Sequence, residues 1–149
     1  MNLRLAAALG AALLLAACAP STGTYKDELI AADKAFSARS AKDGVRAAYL
    51  ATLSSDAKLL AQYHTGAEGI KDTFMQLPDN AKLTWEAAAV DASSLGELGY
   101  TWGRYTLVLP TVKAHGQPFT QRGNYVFIWK RDHFNKWKVV FEGRTPDTH

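Results

Sequence analysis

Cysteine is almost missing from this 149-residue chain: Cys18 stands alone, so no disulfide can form within it. Surplus charge is scarce, because 17 Lys and Arg against 14 Asp and Glu leave a formal net charge of +3. That is too little to mark a nucleic-acid binder. Long apolar runs are missing apart from Leu5 to Ala17, which holds only Leu, Ala and Gly. As a helix it rises about 20 Å, short of the roughly 30 Å hydrocarbon core, so a permanent span is not expected. His64, His115, His133 and His149 lack the spacing of a metal site and have no acidic cluster beside them. The glycines form no phosphate loop, and Ser54, Ser55, Ser93 and Ser94 have no nucleophile-elbow surroundings. Neither metal nor cofactor is therefore expected. What is present is 48% apolar and 11% aromatic residues with 21% charge, the composition of one folded domain rather than a disordered chain.

The first eighteen residues read as an export address. Arg4, the short apolar run and the small residues at its end make a secretory signal. Its close, Leu15-Ala16-Ala17-Cys18, resembles the lipobox of bacterial lipoproteins. That resemblance implies cleavage before Cys18 and lipidation of its sulfur, and two or more acyl chains anchor a protein stably where one does so marginally. With Ala19 in place of Asp, the resemblance to Gram-negative lipoproteins implies sorting to the outer membrane, facing the periplasm, and a Gram-positive surface lipoprotein is the alternative. The organisation expected is a signal peptide over 1–17, lipidated Cys18 and a tether over 18–24, a domain over 25–145 and a tail over 146–149.

Within the domain, Thr24 followed by Asp27 forms a capping box ahead of Leu29, Ala32 and Phe36 at helical spacing. The spacing predicts a helix from about Tyr25 to Ser40. Val45, Ala48, Tyr49 and Thr52 predict a second, and Ala57 to Gln62 a short strand. Thr65 and Glu68 form another capping box for a third helix that Pro78 stops. Lys82–Val90, Leu98–Leu109, Phe119–Lys130 and Trp137–Glu142 predict four strands, separated by Ser93 to Glu97, a loop over Pro110 to Pro118 and a turn over Asp132 to Lys136. Helices first and antiparallel strands after them mean α+β, with helices covering one face of a curved sheet.

Several stretches carry a family resemblance: Leu29-Ile30-Ala31-Ala32-Asp33-Lys34-Ala35-Phe36, Gly69-Ile70-Lys71-Asp72-Thr73-Phe74, Leu98 to Thr106, Gly123 to Lys130, and Trp137-Lys138-Val139-Val140. Together, over roughly Glu28 to Glu142, the chain resembles a nuclear transport factor 2-like domain of the branch that includes SnoaL-like polyketide cyclases and the domain of unknown function 4440. The resemblance implies a cone: a strongly curved, cystatin-like antiparallel sheet wrapped around N-terminal helices, leaving an apolar pocket. It also implies a homodimer through the outer sheet face. One such frame hosts enzymes, binders and scaffolds, so the residues must decide among them.

Aromatic rings are the main chemical feature. Alternation places Tyr125, Phe127 and Trp129 on one face of their strand and Trp137, Val139 and Phe141 on one face of the next. Arg122, Asn124, Lys130, Lys138 and Glu142 fall on the opposite faces, so the rings should point inward, as plain core or as the wall of an open pocket. Tyr100 and Trp102 share a face that excludes Tyr105 and includes Arg104, which leaves open which face is concave. The ligand-lining candidates are Trp85, Tyr100, Trp102, Tyr125, Trp129 and His64.

Ketosteroid-isomerase-like relatives use a carboxylate base after the first strand. Here that position falls near Leu60 or Ala61, where there is no acid, so no catalytic residue is assigned. The expectation is a non-catalytic domain that binds a small apolar or aromatic molecule or a protein partner, and no nucleic acid. The alternatives are an isomerase- or cyclase-like enzyme using His64, Glu86 or Asp91, and a solid-cored module pairing through Val126, Ile128 and Val140. Lys130, Arg131, Lys136 and Lys138 make a basic hairpin tip, a solvated end or a contact for an anionic partner.

Overall fold

The computed structural model describes residues 22–60 and 76–148, and the backbone alone at 64–65. Helix α1 spans Thr22–Asp43, and α2 spans Val45–Thr52 after Gly44, whose φ of 93° suits glycine. The strands are β1 (Leu53–Leu59), β2 (His64–Thr65), β3 (Lys82–Ala92), β4 (Leu98–Ala114), β5 (Gln117–Arg131) and β6 (Trp137–Pro146). They form one sheet in the order β2-β1-β6-β5-β4-β3. Every pairing is antiparallel except β1 with β6, so the sheet is mixed rather than purely antiparallel.

Helix α1 buries Leu29, Asp33, Phe36 and Ser40, a stripe at helical spacing that lies on the concave face. Its serines also close a sheet edge. Ser37 Oγ accepts from the Trp85 N–H at 3.0 Å and donates to the Trp85 carbonyl at 2.9 Å, and Ser40 Oγ donates to the Leu83 carbonyl at 2.7 Å. Since β3 is the last strand in the order, these contacts satisfy backbone groups that would otherwise be free to pair with another chain.

The structure corrects four local expectations. Thr24 lies inside the first turn of α1, not ahead of it, so it is no N-cap. The first strand begins at Leu53, directly after α2, because the Leu53 N–H closes the helix on the Tyr49 carbonyl and Leu53, Ala57 and Leu59 turn inward. The Pro110–Pro118 stretch is mostly strand. Its pairing slips between Leu109 and Lys113, which accommodates a proline that cannot donate, and the turn narrows to His115 and Gly116, both at positive φ. The fourth correction is at β6, where the partners step from Ile128↔Phe141 to Trp129↔Val139, leaving Val140 as a bulge. The extra residue reverses the alternation beyond it: Phe141 pairs across the outer face, and Glu142 turns inward. The third helix expected after Thr65 lies outside the described residues.

A second bulge, at Ala88, sits opposite Gly103, and there a Cβ would come within 2.0 Å of the Glu86 carbonyl oxygen. Only a residue without a side chain lets β3 bend so closely over β4. Gly103→Ala is expected to cost about 2 kcal/mol or more of unfolding free energy, measured by chemical denaturation. A loss within error would show that the bulge yields freely.

Candidate functional site

The concave face is filled by rings. Phe36 stands at the centre, with ring centroids 4.6 Å from Trp85, 4.8 Å from Tyr49, 5.5 Å from Phe127 and 6.2 Å from Trp129. Such edge and tilted pairs each add about 0.5–1.5 kcal/mol beyond their buried area. Of the ligand-lining candidates, Trp85, Tyr125 and Trp129 belong to this cluster, exposed by only 8, 3 and 0%. Tyr100 and Trp102 stand on the other side of the sheet, 42 and 45% exposed. The five rings therefore cannot line one wall. His64 pairs through its backbone with Leu59 in β2, and its side chain lies outside the described residues.

Two carboxylates stand inside the cup, where the sequence pattern points to no proton-carrying group. Asp33 accepts from the Trp85 indole at 3.1 Å, from Thr101 Oγ1 at 2.6 Å and from the Tyr125 hydroxyl at 3.2 Å. Thr101 in turn accepts from the Trp129 indole at 2.9 Å. Burial pushes the Asp33 carboxyl above the ordinary range, while these donors pull it back. Burial also raises the Tyr125 phenol, and the neighbouring Asp33 charge adds to that rise. The helical stripe offered the signal for Asp33, which is four residues after Leu29 and three before Phe36.

Glu142 is the second buried acid. It accepts from the Tyr49 hydroxyl at 2.9 Å, and Arg144 Nε lies 2.7 Å from the same oxygen in an ion contact rather than an aligned hydrogen bond. Its other oxygen, Oε2, has no donor among the described residues. Both acids are 1% exposed, and neither is in the wall of the grooves on the outer face or between α1 and β6. Among the described residues, the arrangement joins helices to strands, and both carboxylates are spent on side chains from distant elements. Of the other candidate acids, Asp91 lines a groove on the outer face beside Tyr100. Glu86 is exposed and pairs across the sheet with Arg104, and Asp91 is held by Lys26 at 2.8 Å.

The outer face carries a different surface. Cross-strand partners join Trp102 to Val126, Tyr100 to Ile128 and Ile128 to Phe141 in a continuous apolar field. Grooves of about 400 and 410 Å³ flank Tyr100, one reaching Leu98 and Ile128, the other Trp102, Val126 and Leu60. Polar groups bound the field on one side, where Arg104 pairs with Asp147 and reaches Asn124 at 3.1 Å.

No family model matches the chain, and no curated protein matches it in sequence. Solved structures do match it in fold. A nuclear transport factor 2-like superfamily protein from Salmonella enterica aligns with a TM-score of 0.65 at 14% identity, over 87% of this chain and 95% of that one. The CaMKII hub of S. rosetta aligns at 0.63 and 20%, over 82% and 96%. The association domain of C. elegans CaMKII aligns at 0.61 and 14%, over 83% and 97%. The fold is thus the nuclear transport factor 2-like, cystatin-like α+β cone.

Asp33→Ala leaves three buried donors without their acceptor and is expected to cost about 3 kcal/mol or more in chemical denaturation. A loss below about 1 kcal/mol would mean that the network can re-pair. Burial holds the Glu142 carboxyl above its usual value of 4.5, against the pull of Arg144 and Tyr49. The folded state therefore binds this proton more tightly than the unfolded state. The resulting stability is full below the unfolded value and is lost as pH rises through the folded one. In urea melts the wild-type advantage over Glu142→Gln should accordingly shrink across the window that opens above pH 4.5. An advantage that grows over that window would reverse the assignment.

Proposed function

We propose that this chain is an exported lipoprotein, lipidated at Cys18 and held at the outer membrane facing the periplasm, whose domain works without chemistry as a self-association module. The observation that carries the reading is the division of the rings. Trp85, Tyr125 and Trp129 are consumed by the core, while Tyr100 and Trp102 remain exposed on a bounded apolar field. Isolated exposed apolar residues need no explanation, but a contiguous field across neighbouring strands marks an interaction surface. The occupant proposed is a second copy of the chain, with the two outer sheet faces packed together. The fold likeness to a CaMKII hub and to a CaMKII association domain supports this choice over a small ligand. The lipobox at Leu15–Cys18 supports the anchor, and the stretches around Phe36 and Gly123–Lys130 support placement in the SnoaL-like, domain of unknown function 4440 branch.

Self-association predicts a concentration-dependent dimer in sedimentation equilibrium at micromolar protein. Tyr100→Glu with Trp102→Glu should return it to monomer without changing its far-ultraviolet circular dichroism. A monomer at every concentration, or a dimer that survives both charges, would refute the interface. The anchor is tested separately: Cys18→Ala should move the protein from the membrane to the soluble fraction, and membrane retention of this variant would refute lipidation.

A further inference from the structure

Two turns and the start of α1 meet at one end of the sheet. The β3–β4 turn over 93–97 and the β5–β6 turn over 132–136 are tied by Arg131, whose backbone N–H donates to the Glu97 carbonyl at 3.1 Å. Its guanidinium donates to the carbonyls of Gly96 and Asn135, each at 2.8 Å, and pairs with Glu28 of α1. Tyr25 lies so close to Gly96 that a Cβ there would stand 2.5 Å from its ring. On these braced turns stand Leu95 and Phe134, the most exposed large apolar side chains among the described residues, at 78 and 71%. Turn positions ordinarily go to Gly, Pro, Asn, Asp and Ser. Here neighbouring turns each hold a large apolar group out to solvent on a hydrogen-bonded base. Lys130 and Lys136 are exposed on the same hairpin, whereas Asp132 is spent on the Phe134 and Lys136 N–H groups, both at 2.9 Å. Asp27 and Glu97 are also exposed at this end, so the apolar tips rather than net charge must carry the larger part of any contact.

The length of chain ahead of α1 identifies the occupant. Only Ala19-Pro20-Ser21 separate Cys18 from Thr22, where α1 begins. A fully extended chain gains at most about 3.6 Å per residue, so the Cys18 Cα lies within about 14 Å of Thr22. We propose that this end of the cone docks on the lipid surface in which the Cys18 acyl chains are seated. Leu95 and Phe134 enter the headgroup boundary, and Lys130 and Lys136 meet anionic headgroups. The proposal rests on lipidation of Cys18 and not on self-association. Apolar side chains at a membrane interface bury about 5–10 Å into the boundary of headgroups and acyl chains, and nearby lysines add attraction to anionic lipid. Docking is intramolecular once the anchor is seated, so contacts too weak to recruit a free domain suffice. The domain then takes one orientation, with the β4–β5 turn at the opposite end of its ribbon directed away from the membrane.

The test uses the lipidated protein seated in phosphatidylcholine vesicles with and without phosphatidylglycerol, carrying bimane on Ser94→Cys or on Gln117→Cys, both exposed positions. Lipidation consumes the Cys18 sulfur, so each label reports one position. Lipids spin-labelled high on the acyl chain should quench the Ser94 label at least about threefold more than the Gln117 label, because the docked tip lies inside the boundary layer. Leu95→Ser with Phe134→Ser should remove that difference while leaving the thermal midpoint unchanged, since both side chains are exposed. Lys130→Gln with Lys136→Gln should abolish the extra quenching that phosphatidylglycerol produces. Equal quenching of the two labels, a difference that survives the serine pair, or no dependence on phosphatidylglycerol would overturn the docking. Protein that stays on the vesicles with an unquenched Ser94 label refutes docking alone, whereas protein that washes off them refutes the lipidation on which it rests.

Discussion

One buried carboxylate decides how helix and sheet meet in this domain. Asp33 sits on the inner stripe of α1 and receives donors from three consecutive strands, through Trp85 on β3, Thr101 on β4 and Tyr125 on β5. A carboxylate in an apolar interior is expensive unless each oxygen is satisfied, so the helix can dock in only one rotation and one axial position. Once it is docked, Leu29 presses against Gly99, Phe36 enters the ring cluster, and Ser37 and Ser40 reach the edge of β3. Apolar packing supplies the bulk of the stabilisation, and the acid supplies the register.

That register also explains why the aromatic residues separate into two populations. A strand offers alternate residues to opposite sides, and β4 follows the rule strictly, with Thr101, Gly103 and Tyr105 inward and Tyr100, Trp102 and Arg104 outward. The inward positions are small near α1, at Thr101 and Gly103, because the helix and the neighbouring rings already occupy that space. The large rings of β4 that precede Tyr105 are therefore displaced to the outside. A chain rich in aromatics thus spends some on cohesion and leaves others in reach of a partner.

Much of this architecture was legible from residue order. Periodicity in Leu29, Ala32 and Phe36 announced α1, and alternation in Tyr125, Phe127 and Trp129 announced the inner face of β5. What stayed hidden has a common cause: information that lies outside any single segment. Asp33 reads as one more solvated acid until three donors from distant strands surround it. The inward turn of Glu142 depends on Val140 having no partner across the sheet, which no local pattern in β6 declares. Pro110 looked like a loop because proline usually ends a strand, yet an interrupted ladder tolerates it. The candidate site was half readable for the same reason: ring identity is local, whereas the side of the sheet on which Tyr100 and Trp102 lie is a property of the whole cone.

The unpaired Val140 carries a consequence for how this scaffold can diversify. Because one supernumerary residue sets the phase of everything after it in β6, closing the bulge so that Val140 pairs with Ile128 would exchange interior and exterior along the rest of the strand at a stroke. Phe141 would enter the cup, and Glu142 and its tyrosine contact would be lost to solvent. A lineage built on this frame can therefore gain or discard an internal acid by opening or closing one bulge, without altering any residue of β6 itself.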